Sequence, residues 1–253
     1  MLSFWRKKAT IDADEIDWII EHWRRLNGLL GPVNGDPTRL PFIPRRETFP
    51  DPPAMRAERA RYYFDQVRDA YGIPASHCEL VEQARRPDLG SSVVFGSMKQ
   101  GGALGTYQSR GNVARITYDP ALIDSPLHLV ATLAHELAHF KLEYRADSPP
   151  GGDETMEPLT DLTTVHMGFG LFGANVAFEY SQTQDYDRQS WHWKRAGYLT
   201  EPQWCFANAL AFELNNLPES AYCAFAKPSI AAGIRKNHAY LRSNPELLAE
   251  AGA

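Results

Sequence analysis

The stretch from Ser125 to Tyr144 constrains this chain more than any other. Ser125 supplies an N-cap and Pro126 suits the first helical position, so a helix opens here and runs to about Tyr144. His135, Glu136 and His139 stand within it. At about 100° per residue, the two histidines lie about 40° apart around the helix, one turn from each other. Both imidazoles therefore leave one face, at the spacing needed to grip a single tetrahedral ion from two directions. Glu136 is turned about 100° from His135, beside such an ion and not on it. A carboxylate held there is placed to take a proton from a metal-bound water.

Zinc needs a third protein ligand if a fourth position is to stay open. The segment 154–161 offers Glu154, Glu157 and Asp161 downstream of His139. Glu157 and Asp161 are again four apart, hence on one helical face. Glu157 is the expected third ligand. Asp161 is expected to accept a hydrogen bond from the distal nitrogen of a ligand histidine and so fix its tautomer. Pro158 disfavours helical backbone at the residue before it, which places Glu157 at an N-cap and Glu154 ahead of the helix. His166, nine residues after Glu157, points to the opposite side of such a helix and reads as structural. Glu143 follows His139 on the same face and would bind metal only in an unusual site.

The rest of the chain reads as α+β, with a small sheet ahead of a mainly helical C-terminal half. Residues 1–76 hold two helices, over 12–30 and 54–72, joined by a connector at 31–53 with seven prolines. A connector that long has to wrap over something, and a packed strap suits it better than a lid. Residues 77–119 carry short β-like runs at 80–82, 92–95, 104–107 and 113–118, with a hairpin connection at 108–112. Residues 120–253 are helical: 125–144, 158–172 or further, a helix to about Leu214 opened by the capping box at Thr200–Gln203, then 218–236 and 245–251. The whole of 1–253 reads as one domain.

Composition narrows the function classes. A formal charge of −5 and a pI near 5.9 leave no basic excess for phosphates, so nucleic acid is not an expected partner. No apolar run is long enough for a transmembrane segment, and the first residues lack the order of a secretory signal. Cys78, Cys205 and Cys223 are odd in number and widely spaced, which suits free thiols and a cytoplasmic location.

The residues of 135–139 and 157–161 resemble the zincin metallopeptidases, and their gluzincin branch in particular. His135-Glu136-Leu137-Ala138-His139 is similar to the zinc helix of that family, and Glu157-Pro-Leu-Thr-Asp161 to its downstream E-x-x-x-D element. Seventeen residues separate His139 from Glu157, a gap similar to that of thermolysin-like enzymes. The resemblance covers about residues 104–172. Stretches 132–139, 157–165 and 197–202 also resemble a group of uncharacterised bacterial proteins, which supplies no substrate.

The zincin resemblance implies one zinc ion held by His135, His139 and Glu157, with Asp161 supporting a histidine. It also implies a sheet whose edge strand, expected at 113–118, pairs with an extended peptide or protein substrate. Such peptidases need a donor for the oxyanion formed when water attacks the carbonyl. Tyr180, Tyr186, His192 and Tyr198 are the candidates in 178–204, and Tyr198, just ahead of the helix at Thr200, is preferred. Trp191, Trp193 and Trp204 read as core. The expected activity is zinc-dependent peptide hydrolysis with Glu136 as general base. The alternatives are a zincin-like binding scaffold without turnover, or hydrolysis of a non-peptide amide or ester.

Overall fold

The apolar stripe of the first helix shows how the chain begins to build a core. In the computed structural model, which describes residues 7–33, 41–83, 105–110, 113–145, 153–184 and 198–252, this helix is α1, Ala13–Leu30. Asp12 accepts from the Glu15 N–H and the Glu15 carboxylate accepts from the Asp12 N–H, both at 3.0 Å, closing a capping box. Ile16, Ile19, Ile20, Trp23 and Leu26 recur at helical spacing and all are buried.

The chain forms two compact units. The first comprises 1–43, 161–175 and 199–253; the second comprises 44–160 and 176–198. The helix α4, Asp153–His166, contributes residues to both.

In the first unit α1 packs on α8, Pro245–Gly252, and α6, Glu201–Leu214, packs on α7, Pro228–Leu241. Thr200 and Gln203 form the expected capping box, with the Thr200 N–H donating to Gln203 Oε1 at 2.8 Å. Every residue from Trp204 to Phe212 is buried, which fits a helix apolar on all sides. Gly173, in α5 (Gly170–Gln184), has no room for a side chain: a Cβ there would lie 2.3 Å from the Trp204 ring. His166 is buried here too, its Nε2 3.0 Å from Asn27 Oδ1.

Among the described residues the second unit holds a three-stranded sheet of order β1-β3-β2: β1 Cys78–Glu82, β2 Gly105–Arg110 and β3 Val113–Tyr118. β1 runs parallel to β3, and β2 antiparallel to it with Arg110 opposite Val113. The long helix α3, Pro126–Arg145, packs on β2 and β3 and against α2, Arg56–Ala70. Just past α2, the buried Tyr71 donates its hydroxyl to the carbonyl of Ala134, and Lys141 returns a bond to the Tyr71 carbonyl at 2.6 Å. Both bonds fasten the middle of α3. Residues 44–53 lie along α2: Phe49 meets the Tyr63 ring edge-on, and the Tyr62 hydroxyl donates to the Pro50 carbonyl.

The architecture is thus α+β with a small sheet and a mainly helical C-terminal half. Five expectations need correction, among them the hairpin connection at 108–112, because residues 108–110 continue β2 opposite 113–115. The strand 113–118 is central, not an edge, and among the described residues β2 is the edge beside α3. Alternation along 113–118 buries Ala114, Ile116 and Tyr118 on one face, but a period of two reports faces and not neighbours.

The helix expected from Pro158 starts instead at Asp153, with Pro158 inside it. Pro158 is the sixth residue of that helix, so its missing N–H costs one bond close to the helix start. Glu157 is therefore helical and not an N-cap. That helix also stops at His166, because Gly168 turns at φ 91° before α5 begins. Finally, 218–227 holds only two short 3-10 turns; Lys227 is extended ahead of Pro228, so the last long helix starts there.

The expected strand at 92–95 lies outside the described residues. Cys78, Cys205 and Cys223 are free, and burial pushes the Cys78 thiol up to about 11 and that of Cys205 to about 12. Among the described residues no helix is long and apolar enough to cross a membrane.

Candidate metal centre

His135 and His139 project from α3 as their spacing requires, one turn apart, with their rings nearly perpendicular. Their Nε2 atoms stand 3.1 Å from each other. Glu157 of α4 meets both: its Oε2 lies 3.1 Å from His135 Nε2 and 3.5 Å from His139 Nε2. All three side chains are partly open to solvent.

Two imidazole nitrogens and a carboxylate oxygen at these separations form a triangle that could hold a cation. Donors about 2.0–2.1 Å from a tetrahedral zinc stand about 3.4 Å from one another, close to the triangle these atoms form. The donor set, two neutral nitrogens and one carboxylate, is also one that zinc accepts in open sites.

The tautomer of His139 follows from its other side. The Thr160 hydroxyl donates to the Met156 carbonyl at 2.8 Å, so its oxygen is left to accept from His139 Nδ1–H at 3.3 Å. Nε2 then keeps its lone pair for the metal position. Asp161, buried one residue later, accepts the backbone N–H of Leu199 at 3.0 Å.

Glu136 lies beside the ligand triangle and is buried. Burial raises its pKa above the ordinary carboxylate value, and the Glu157 charge adds to this, against the lowering effect of His135 and His139. Burial also pushes Glu157 upward, but hydrogen bonds and charge from the two histidines outweigh it and hold that carboxyl far below its usual range. The two acids are thus shifted in opposite directions, Glu157 downward and Glu136 upward.

Strand β2 closes over this side of α3. The backbone of Gly105 is so near that a Cβ would stand 2.6 Å from Thr132 Cγ2 and 3.0 Å from Glu136 Oε1. Two residues on, the Tyr107 ring lies nearly parallel to His139, 6.2 Å between centroids and 12° between planes. Its hydroxyl bonds to the Glu143 carboxylate.

Of the residues expected from the sequence, His135, Glu136, His139 and Glu157 come together here. The exposed Tyr198 also comes near, its ring 5.7 Å from that of His135. Glu143 is exposed and engaged by Tyr107. Glu154 is helical, but its side chain, like that of Tyr180, lies outside the described residues, as do Tyr186, Trp191, His192 and Trp193. Trp204 is core. Sequence reasoning missed Thr160, Gly105 and Tyr107. Thr160 was within reach, since it follows Glu157 by three on the same helix.

Compared with family models, curated proteins and solved structures, the chain matches none.

Proposed function

We propose that the protein is a zinc-dependent hydrolase of the zincin kind, and that its substrate is a peptide or protein. One observation carries this reading: the convergence of His135 Nε2, His139 Nε2 and Glu157 Oε2 within 4.8 Å, with the buried Glu136 carboxylate alongside. Zinc supplies Lewis-acid polarisation of a carbonyl and acidifies water when bound to such a set.

The remaining work falls to the chain. Glu136 takes a proton from the attacking water and returns it to the leaving amine. Thr160 holds His139 in the tautomer that leaves Nε2 free. Asp161, one turn after Glu157 on α4, takes the position of the supporting acid in the gluzincin pattern; it accepts the Leu199 N–H, and Thr160 meets His139 Nδ1. Tyr198, exposed beside His135, is the candidate donor to the developing oxyanion.

The preference for a peptide comes from β2. It has β3 on one side and no second strand among the described residues, and it runs past Glu136 at Gly105. An extended peptide adding to that edge brings its own backbone to the base. A structural metal site has no use for a buried carboxylate beside its ligands, which disfavours a scaffold without turnover.

The test is Glu136→Gln. The variant is expected to bind zinc like the wild type and to lose peptide hydrolysis by about 100-fold or more. A fully active variant contradicts the reading. Denatured protein and short peptides serve as first substrates, with simple amides and esters run beside them.

A further inference from the structure

We propose that Tyr107 is a positioning residue of the metal centre, holding the His139 imidazole in place and fixing β2 in register along α3. The inference rests on the metal-centre reading above and goes beyond its ligands, base and oxyanion donor.

Successive side chains of a strand alternate, so Gly105 and Tyr107 share one face of β2. That face is the one turned to α3. Gly105 abuts Thr132 and Glu136, whereas Tyr107 reaches His139, Phe140 and Glu143 further along the helix. Strand and helix thus advance together, and two residues of strand pass the base and then a ligand. Packing holds the two elements together, and Tyr107 adds a side-chain tie between them.

It does so by two contacts of different kinds. Its ring lies nearly parallel to the His139 imidazole, within the range of an offset stack. This restricts the tilt of that imidazole from the face left open by Thr160. Its hydroxyl meets Glu143, one turn beyond His139 on α3, so the ring is held at its far end as well. A ligand histidine constrained at Nδ1 by a hydroxyl and across its face by a clamped ring loses little freedom when Nε2 takes a metal. Pre-ordering of this kind appears as metal affinity.

The experiment measures zinc affinity by competition with a chromophoric chelator, on the full-length protein and on Tyr107→Leu, Tyr107→Phe, Glu143→Ala and the Tyr107→Phe/Glu143→Ala double variant. The d–d spectrum of the cobalt-substituted forms is recorded alongside. Tyr107→Leu is expected to weaken zinc by about 10–100-fold and to shift the cobalt bands. Tyr107→Phe and Glu143→Ala each lose only the outer bond and are expected to weaken zinc by about threefold, with the double variant no worse than either.

Wild-type zinc affinity and an unchanged cobalt spectrum in Tyr107→Leu overturn the inference. If that variant does not fold, the cycle decides: additive effects, or none, overturn it as well. A wild-type protein that binds no zinc overturns the metal-centre reading itself, so the two failures are told apart.

Discussion

The backbone of Gly105 lies against the carboxylate of Glu136, and a Cβ at that position would stand 3.0 Å from Oε1 and 3.1 Å from Cγ. The third near atom, Thr132 Cγ2 at 2.6 Å, belongs to a β-branched side chain with little freedom in a helix. A methyl group at Gly105 therefore forces Thr132 or β2 to shift and presses on Glu136 as well. Gly105→Ala is expected to cost about 1–3 kcal/mol of stability by overpacking. It should also lower turnover while zinc affinity stays near wild type. Kinetics with a chelator titration check this; full activity with bound zinc would mean that close packing at Gly105 does not position Glu136.

Tyr71 braces α3 one residue ahead of His135. Its hydroxyl bond to Ala134 is fully buried. Tyr71→Phe keeps the ring and removes one hydrogen bond, and the Ala134 carbonyl keeps its helical partner. The expected loss is about 0.5–1.5 kcal/mol, read from the urea midpoint, with zinc binding retained. A loss of several kcal/mol, or of the metal, contradicts this assignment.

Acid sensitivity should arise away from the metal centre too. His22 and His238 are both held below the ordinary imidazole value of 6.5, in each case chiefly by burial. A depressed folded pKa means that the unfolded chain binds protons the folded chain refuses. Their contribution is complete above about pH 6.5 and declines as pH falls through that value toward the folded pKa. Urea midpoints of metal-free protein at about pH 8 and about pH 5.5 are expected to show this, and His22→Gln to flatten the dependence. An unchanged slope in that variant refutes its share.

Much of the fold is legible in local chemistry. Ser125-Pro126 marks the start of α3, and Thr200 with Gln203 marks that of α6. The histidine spacing gives the shared face, and the acid four residues before Asp161 gives Glu157. What fails is long-range or depends on competition. Period-two burial in 113–118 carries no information on its neighbours, so β3 reads as an edge when it is central. Pro158 has less power near a helix start than its local rule suggests, and Gly168 has more. Tyr107 and Gly105 are invisible in the sequence because only the packing of β2 on α3 brings them to Glu136 and His139.

Every role assigned to the site depends on His135, His139 and Glu157 holding one zinc ion. Elemental analysis of full-length protein, loaded with zinc and dialysed, tests that directly. About one zinc per chain is expected for the wild type, and close to none for His139→Ala. A wild-type chain free of zinc, or a His139→Ala chain that keeps its full complement, contradicts it.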